Sequence, residues 1–469
     1  MEFQMENTLS ICIQTLVDNI TLYLCGNTSK NYSVIKVNYD NLATNGELYF
    51  LPSLKAWKHL LQGTNKCDGK CTTILQHFLH IQGRDTNDKT DKDIAKEAIE
   101  LLISSSCNWL IKIQRYVLEN ERVCLFLHRT PLIANSIKLA LTSQCNFGRT
   151  LSLNKVFSFK LHKDNESEIT TRRLHLIQSV TEKIVKLHGG RISDEQSDYK
   201  FIFTTKSQGE VEENYEKCVC GVVKNAEKNC KEATLTWEEY INYKIEELKT
   251  LNEHKYFEEN EHDIIIEDNF IENVAKAMAT FELLSVKPSR SVSIAINPAP
   301  NRNTTNMKGA SFILYNTARI AAIIKKYNDK RLKGEYPNLP HVYDVDFSLL
   351  NQQVFYLKAI YLIHISKSYD LYFQDEWELI HNFIIGYQEM IKECLRYEPG
   401  FQTNPQIICI FLSRLCKKFS VYYRTTKILT EGYDHLIPTM VARLYMLHVL
   451  QIVLQNSLAL LDIVPVSRM

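Results

Sequence analysis

The chain has 469 residues, of which 45% are hydrophobic and 23% are charged. This composition is typical of a soluble globular protein of two or three domains and excludes a largely disordered chain. The 55 basic and 54 acidic side chains nearly cancel, which excludes a uniformly cationic nucleic-acid-binding protein of the histone kind. Any site for a polyanion must therefore be local.

The start of the chain predicts no export signal. MEFQMENTLSICIQTL carries two glutamates and no lysine or arginine before its apolar run, whereas a secretory signal opens with positive charge. The sequence contains no stretch of about 20 uninterrupted apolar residues, so we expect no membrane span. The 13 cysteines, an odd number, are typical of reduced thiols. We expect a cytoplasmic or nuclear protein with no membrane partner.

The first 165 residues have a mixed pattern. YSVIKV and RVCLFLHR indicate short strands, while DKDIAKEAIELLISSS has apolar residues at helical spacing and an acidic first turn. We predict an N-terminal α/β module over residues 1–165.

Two groups of cysteine and histidine residues resemble metal ligands only loosely. The first could be drawn as four zinc ligands and consists of Cys67, Cys71, His77 and His80. Its gap of five residues between the cysteine pair and the first histidine is much shorter than the roughly 12 of a zinc finger. The second group lacks an evident fourth ligand and consists of Cys218, Cys220 and Cys230. We predict no metal site and no cofactor.

Residues 205–270 form an acidic segment, with 17 Asp and Glu against 8 Lys. Such a run is typical of a solvated face or loop. Both flanking parts of the chain carry a small positive excess, so a nucleic acid is expected to contact those parts before the acidic segment. The pattern leaves open what the segment itself contacts.

The second half of the chain has helical periodicity. Asn404 and Pro405 together form a helix start signal. The apolar face that follows contains Ile408, Phe411, Leu415, Phe419 and Tyr422. The opposite face carries four cations, Arg414, Lys417, Lys418 and Arg424. The pattern alone allows either a solvated face of a bundle helix or a phosphate-contacting surface with tyrosines nearby for base stacking.

The closing helix has an apolar stripe at spacings of three and four. Its members are Met440, Leu444, Leu447, Leu450, Leu454, Leu458 and Leu461. Val449, Ile452 and Val453 widen the stripe until most of the helix is covered. We predict that this helix is an internal strut of a helical bundle.

These segments resemble a known family. FLSRLCKKFSVYYRTTKIL and VARLYMLHVLQIVLQNSLALLDIVPVSRM are similar to the closing helices of the DALR anticodon-binding domain of arginyl-tRNA synthetases, including the Asn456-Ser457-Leu458 step and a terminal Met469. KGASFILYNTARIAAIIKKY resembles the family's Tyr-x-x-Ala-Arg-Ile segment, and VAKAMATFELLSV resembles the helix before it. KGASFILYNTARI followed by YPNLPHVYDVDFSLL also resembles the DALR anticodon-binding domain-containing proteins, which are non-synthetase relatives.

The resemblance implies an α+β fold with three parts. Residues 1–165 form the N-terminal α/β module, and residues 166–270 form a degenerate class I synthetase-like α/β middle, a Rossmann remnant that includes the acidic segment. Residues 271–469 form an all-α DALR anticodon-binding bundle.

Two catalytic signatures of the family are missing. The helix RRLHLIQSVTEKIVKLHGG resembles the family helix that cradles ATP phosphates, but Thr170 and Thr171 precede it in place of a His-x-Gly-His element. The later loop reads CGVVKNAEKNCKEA and has no Lys-Met-Ser core. We therefore expect no enzymatic activity.

The resemblance implies a non-catalytic adaptor in tRNA modification. It would recognise arginine tRNAs and present them to a 3-methylcytidine tRNA methyltransferase. An active arginyl-tRNA synthetase-like ligase and a protein scaffold without RNA binding remain as alternatives. The candidate tRNA-binding residues are Tyr315, Asn316, Arg319, Arg414, Lys417, Lys418, Tyr423, Arg424, Arg443, Asn456 and Met469.

Overall fold

The structure is a computed structural model of the chain. It describes residues 12–28, 33–61, 71–86, 88–119, 121–150, 153–208, 212, 214–256, 268–296, 309–351, 375–397, 400–430 and 433–466. Met469, the last of the candidate tRNA-binding residues, lies outside the described residues, as does Cys67.

Helices are the main elements of the described chain. In chain order they are α1 (Ile13–Cys25), α2 (Leu42–Asn45), α3 (Leu54–Trp57), α4 (Ile74–Ile81), α5 (Asp91–Ser106), α6 (Arg129–Ser143), α7 (Glu168–Leu187), α8 (Trp237–Tyr256), α9 (Asp268–Leu284), α10 (Ala310–Leu332), α11 (Asp375–Leu379), α12 (Tyr387–Glu393), α13 (Gln406–Thr425) and α14 (Ile437–Leu460). A π-helical turn, Ile380–Ile385, joins α11 to α12.

The strands are short. They are β1 (Lys36–Val37), β2 (Leu48–Phe50), β3 (Ile113–Glu119), β4 (Arg122–Leu127), β5 (Val156–Leu161), β6 (Arg191–Ile192), β7 (Tyr199–Thr204), β8 (Glu216–Val219), β9 (Val223–Asn225), β10 (Cys230–Lys231), β11 (Val292–Ile294), β12 (Leu395–Arg396) and β13 (Gln402–Thr403). The predicted α+β class is confirmed.

The contacts divide the chain into two compact units. The first contains Met1–Lys138 and Tyr343–Glu389, and the second contains Leu139–Val342 and Met390–Met469. This grouping by contact does not test the three ranges predicted from the sequence, which stay a prediction. Strand β5 nevertheless begins before residue 165 and pairs with strands that follow it.

The first unit is built on an antiparallel sheet with the strand order β1-β2-β4-β3. Both strand segments predicted here are present, as β1 and β4. Helix α5 covers the predicted range and begins with a capping box, in which Thr90 and Asp93 exchange side-chain and backbone hydrogen bonds. The predicted mixture of strands and helices is therefore present in this unit.

A buried carboxylate joins distant parts of the first unit. Glu47 is completely buried and accepts hydrogen bonds from the Leu127 amide at 2.8 Å and from Arg129 Nε at 2.9 Å. It also accepts one from Trp377 Nε1, at 2.9 Å, on helix α11. Burial of a charge is tolerated only when it is paired and hydrogen-bonded, as it is here. Helix α11 is thereby held against a segment more than 300 positions earlier.

The second unit contains a parallel sheet with the strand order β6-β5-β7-β8. Helix α7 connects β5 to β6, so this part is a βαβ unit of the kind found in Rossmann folds. One face carries a ladder of aromatic rings, in which Phe201 stacks on Phe401 with ring centroids 3.9 Å apart. These rings fasten the segment around residue 401 to the sheet.

Helices α9, α10, α13 and α14 pack together in the second unit. The predicted apolar stripe of the closing helix is buried, from Met440 to Leu461. Its end is fixed to α7, because Asp462 accepts a hydrogen bond from Ser179 Oγ at 2.6 Å and forms an ion pair with Lys183. The prediction of an internal strut is confirmed.

One helix among the described residues, Asp434–Leu460, is long and apolar enough to cross a membrane. Of its most apolar window, 56% is buried inside the protein. Core helices satisfy the same criterion of length and composition, so the finding assigns no membrane span.

A neutral histidine connects the end of α7 to α12. His188 is buried, its Nδ1 lies 2.7 Å from Thr150 Oγ1, and its Nε2 lies 3.1 Å from the carbonyl oxygen of Ile391. The carbonyl can only accept, so Nε2 carries the proton and Nδ1 accepts from the threonine. Burial lowers the pKa of His188, with a smaller opposing effect of the bond to Ile391.

The lowered pKa predicts a stability that falls in mild acid. Below the ordinary histidine pKa of about 6.5, the unfolded chain binds a proton that the folded chain resists. Stability is therefore complete above this pH and is lost as the pH falls towards the folded pKa. His188→Gln keeps one donor and one acceptor but does not titrate, so its stability should vary less with pH, by up to about 1.4 kcal/mol per pH unit.

Denaturant unfolding at pH 7.5 and 5.5 checks this prediction. His175→Gln is the matched control, because His175 is exposed on the same helix. Equal pH dependence in the His188 variant and the wild type would contradict the prediction.

Candidate nucleic-acid interface

Helix α13 is amphipathic in the way that its sequence predicts. All five apolar residues of the predicted face, from Ile408 to Tyr422, are buried. Arg414, Lys417 and Arg424 are exposed, and Lys418 is half-buried. The helix begins at Gln406, and Pro405 is its N-cap residue. The side chain of Asn404 does not cap the helix, which starts one residue later than the sequence predicts. Its outer face therefore carries cations on a rigid element.

Three of the candidate residues converge where α10 and α13 pack together. Arg319 Nη2 lies 2.7 Å from the hydroxyl oxygen of Tyr315, one turn earlier on α10. The guanidinium carbon lies 4.5 Å from the ring centroid of Tyr315 and 4.6 Å from that of Tyr423 on α13. Both rings are about 40% exposed. We call Tyr315, Arg319 and Tyr423 the aromatic–arginine cluster.

The cluster combines two properties that suit single-stranded RNA. An exposed aromatic ring offers a π-face on which a base can stack, and a guanidinium plane offers both stacking and phosphate hydrogen bonds. Because Arg319 is already positioned by two rings, it loses less conformational entropy on binding than a free side chain would.

Three other candidates have structural contacts. Asn316 is completely buried and donates to the Phe312 carbonyl at 2.8 Å, so it presents no side chain to a ligand. Asn456 donates to the Gln144 carbonyl at 3.0 Å, and Arg443 donates to the Lys427 carbonyl at 3.3 Å. Both of the latter are half-buried. The burial of Asn316 argues against a direct contact with RNA, and the list of candidate residues stays a prediction.

Lys326 is a cation outside the list of predicted tRNA-binding residues. It is exposed on α10, and its spacing of seven residues from Arg319 places both on one face. The helical spacing from the Tyr-x-x-Ala-Arg-Ile segment indicates that Lys326 shares a face with Arg319. The face ends in an acidic residue, Asp329, one turn later.

The first turn of α7 is occupied by contacts from its own chain. Thr170 is completely buried, and its Oγ1 accepts a hydrogen bond from the Val223 amide at 3.1 Å. Glu168 accepts from the Trp237 amide at 3.0 Å. A helix N-terminus binds phosphate through free amides and a favourable dipole. Here a carboxylate and a buried hydroxyl group stand at that position instead.

The segment in which the sequence lacks a Lys-Met-Ser core forms a β-hairpin. Strands β9 and β10 pair in antiparallel fashion, and β11 pairs with β9 in parallel. Asn225 Oδ1 fixes the turn by accepting from the amides of Glu227 at 2.9 Å and Lys228 at 3.1 Å. This hairpin is an ordered structural element in the position predicted for a catalytic loop.

The metal candidates remain unsupported. Among the residues that the structure describes, no group of three or more Cys, His, Asp or Glu side chains could hold a metal ion. Cys71 Sγ lies 3.6 Å from His80 Nδ1. Cys67 is not described, so the first candidate group as a whole stays untested.

Residues 313–469 match the family model of the DALR anticodon binding domain. The C-terminal part of the chain is a DALR domain. The likeness inferred from the sequence is thereby confirmed for this region. The aromatic–arginine cluster and the cationic face of α13 both lie within the DALR domain.

Two curated relatives carry the same domain name. The chain is 26% identical over 257 residues to the DALR anticodon-binding domain-containing protein 3 of Danio rerio. The aligned region makes up 54% of this chain and 41% of the relative. The chain is 29% identical over 196 residues to the protein of that name from Rattus norvegicus, and the aligned region makes up 41% of this chain and 32% of the relative. The chain thus matches less than half the length of these relatives.

The fold resembles that of a synthetase. The arginyl-tRNA synthetase of Plasmodium falciparum aligns with 98% of this chain and 99% of its own, with a TM-score of 0.56 and 9% sequence identity. At this identity the likeness shows the fold alone. It confirms the predicted combination of a synthetase-like α/β part with a helical DALR domain.

A buried arginine supports the α/β part beside the DALR domain. Arg173 is completely buried, and its guanidinium donates to backbone carbonyls of Leu283 at 3.0 Å, of Arg290 at 2.9 Å and of Gly221. Burial lowers its pKa to about 10, so it stays charged at neutral pH. A Cβ on Gly221 would lie 2.2 Å from the carbonyl carbon of Arg290, so only glycine allows this approach. No local sequence pattern indicates this contact.

Arg173→Met should destabilise the protein by roughly 3–5 kcal/mol, because several buried carbonyl groups would lose a charged donor. Arg172→Met is the matched control and should cost no more than about 1 kcal/mol, since Arg172 is exposed and its guanidinium contacts the ring of Trp237. Denaturant unfolding measures both values. Similar values for the two variants would contradict the assignment of Arg173 as a buried support.

Proposed function

We propose that this protein is a non-catalytic tRNA-binding adaptor. The observation that carries the proposal is the aromatic–arginine cluster beside the cationic face of α13, within a DALR anticodon-binding domain. Rings for bases and cations for phosphates are the two kinds of contact that recognition of an unpaired RNA loop requires. The anticodon arm of tRNA offers such a loop on a phosphate-rich stem.

The absence of catalysis is part of the proposal. Supporting it are the first turn of α7, which is occupied by contacts from its own chain, and the hairpin that stands where a lysine-containing loop would be needed. Adenylate formation requires positioned phosphates and stabilised charge. The curated relatives are likewise named for the DALR domain and not as synthetases.

The finer part of the proposal rests on the family resemblance of the sequence. Arginine tRNAs are the proposed ligands, and a 3-methylcytidine tRNA methyltransferase is the proposed partner that receives them, in the cytoplasm. An enzyme that modifies a loop base needs a surface that distinguishes one tRNA from another, which a separate DALR domain would supply.

The cluster and the cationic face should contribute differently to tRNA binding. Tyr423→Ala should weaken binding by about 1–3 kcal/mol, the usual value of one base–aromatic stack, with little change in salt dependence. Replacing Arg414, Lys417 and Arg424 by glutamine should lower the slope of log K against log salt by about two to three, because fewer counterions are released. Titrations of labelled tRNA at several salt concentrations measure both effects.

Three exposed cations elsewhere in the same unit provide the control, Lys228, Lys249 and Lys276. Their replacement by glutamine should leave the slope unchanged, and all variants should keep the wild-type melting temperature. If the α13 variant and this control behave alike, the face of α13 is a solvated surface.

The protein should neither activate arginine nor bind ATP tightly. The Glu168 carboxylate and the buried Thr170 hydroxyl group stand at the helix start, and the negative charge of the carboxylate disfavours a phosphate group there. Isothermal titration with ATP and arginine-dependent pyrophosphate exchange test this directly. Micromolar affinity for ATP, or exchange above background, would favour the ligase alternative.

A further inference from the structure

A groove between α8 and α9 is unused by the proposed tRNA site. It encloses about 690 Å³. Its apolar lining consists of Trp237, Ile241, Ile245 and Ile271. The three members on α8 are spaced by four residues, so they form one continuous stripe along that helix.

The rim of the groove carries an excess of one negative charge. Glu238, Glu246 and Glu272 line it, together with two lysines. Each lysine is already neutralised by a neighbouring carboxylate, Lys249 by Glu246 at 2.9 Å and Lys276 by Glu272 at 2.6 Å. Glu238 is exposed and adds a negative charge beside Trp237.

This charge argues against RNA as the occupant. Residues 237–250 of α8 carry four glutamates against two lysines. Phosphates would be repelled by such a surface, whereas Lys and Arg side chains would be attracted to it. The negative charge at the rim therefore favours a cationic protein segment as the occupant of the groove.

The shape of the groove floor favours a helix as the occupant. An apolar stripe between two packed helices is the usual receptor for the apolar face of a third, amphipathic helix. Trp237 supplies a large ring, which the guanidinium of Arg172 stabilises from 4.9 Å, and tryptophan is enriched among the residues that dominate binding energy.

We propose that this groove binds an amphipathic helix of a partner protein, with Leu-like anchors on one face and Lys or Arg on its flanks. The inference rests on the proposed function, because an adaptor needs a protein-facing surface separate from its RNA-facing one. In the chain that surface is acidic, and the proposed tRNA surface is cationic.

A designed peptide tests the groove without knowledge of the partner. The probe is a fluorescein-labelled helical peptide of 18 residues or so, with leucine at positions i, i+4, i+7 and i+11 and lysine on the flanks. A second peptide carries glutamate on the flanks. Fluorescence anisotropy with the full chain should show micromolar binding of the cationic peptide and at least about tenfold weaker binding of the acidic one.

Ile245→Asp should weaken binding of the cationic peptide by about tenfold or more, because it places a charge in the apolar floor. Tyr243→Asp is the matched control, since Tyr243 is 41% exposed on the opposite side of α8 and should change binding less than about twofold. Neither variant should alter tRNA binding. Conversely, Tyr423→Ala should leave peptide binding unchanged.

Several results would overturn the inference. They are equal binding of the two peptides, equal effects of the Ile245 and Tyr243 variants, competition of tRNA with the peptide, and a dimer of the free chain that Ile245→Asp dissociates, which would make a second copy the occupant. A chain that binds the peptide in the groove but fails to bind tRNA would instead overturn the proposed function alone.

Discussion

The second unit depends on a single helix, α7, and on the charge buried near its start. Arg173 holds the carbonyls of three separate segments, those at Gly221, Leu283 and Arg290, and so fixes the ends of β8, α9 and the loop before β11. Near its other end, α7 is tied to the closing helix through Asp462, and His188 beyond it binds Ile391. The helical elements that carry the proposed tRNA surface pack on this framework.

This arrangement has a functional consequence. In a class I synthetase the corresponding helix start would face the nucleotide, by the resemblance described above. In this chain Thr170 accepts from the Val223 amide of the hairpin, and Glu168 accepts from the Trp237 amide at the start of α8. The fold is kept while the helix start serves as a structural junction. The exposed rings and cations that suit RNA lie on rigid helices of the DALR domain.

Periodicity in the sequence predicted the helices and their buried faces, because burial follows spacing. The apolar faces of α13 and α14 and the range of α5 were all predicted correctly. The contacts between residues distant in sequence could not be obtained in this way. Nothing local to Tyr315 and Tyr423 indicates that both rings contact Arg319, since the two tyrosines are separated by more than 100 positions. The same holds for Glu47 and Trp377.

The candidate tRNA-binding residues stay a prediction, because residue type does not show which side chain meets a ligand. Asn316 belongs to a recognisable segment, yet its amide satisfies the backbone one turn earlier, and residue type alone does not distinguish these roles. Lys326 was missed because two adjacent lysines in a helix resemble an ordinary solvated face.

The central claim is that tRNA binds to α10 and α13 of the DALR domain. Ultraviolet crosslinking of the protein to RNA in cells, followed by sequencing of the bound RNA and mass spectrometry of the crosslinked peptides, tests it most directly. The account predicts enrichment of tRNA, with crosslinks in residues 310–332 and 406–425. Crosslinks confined to the first unit, or bound RNA without enrichment of tRNA, would contradict it.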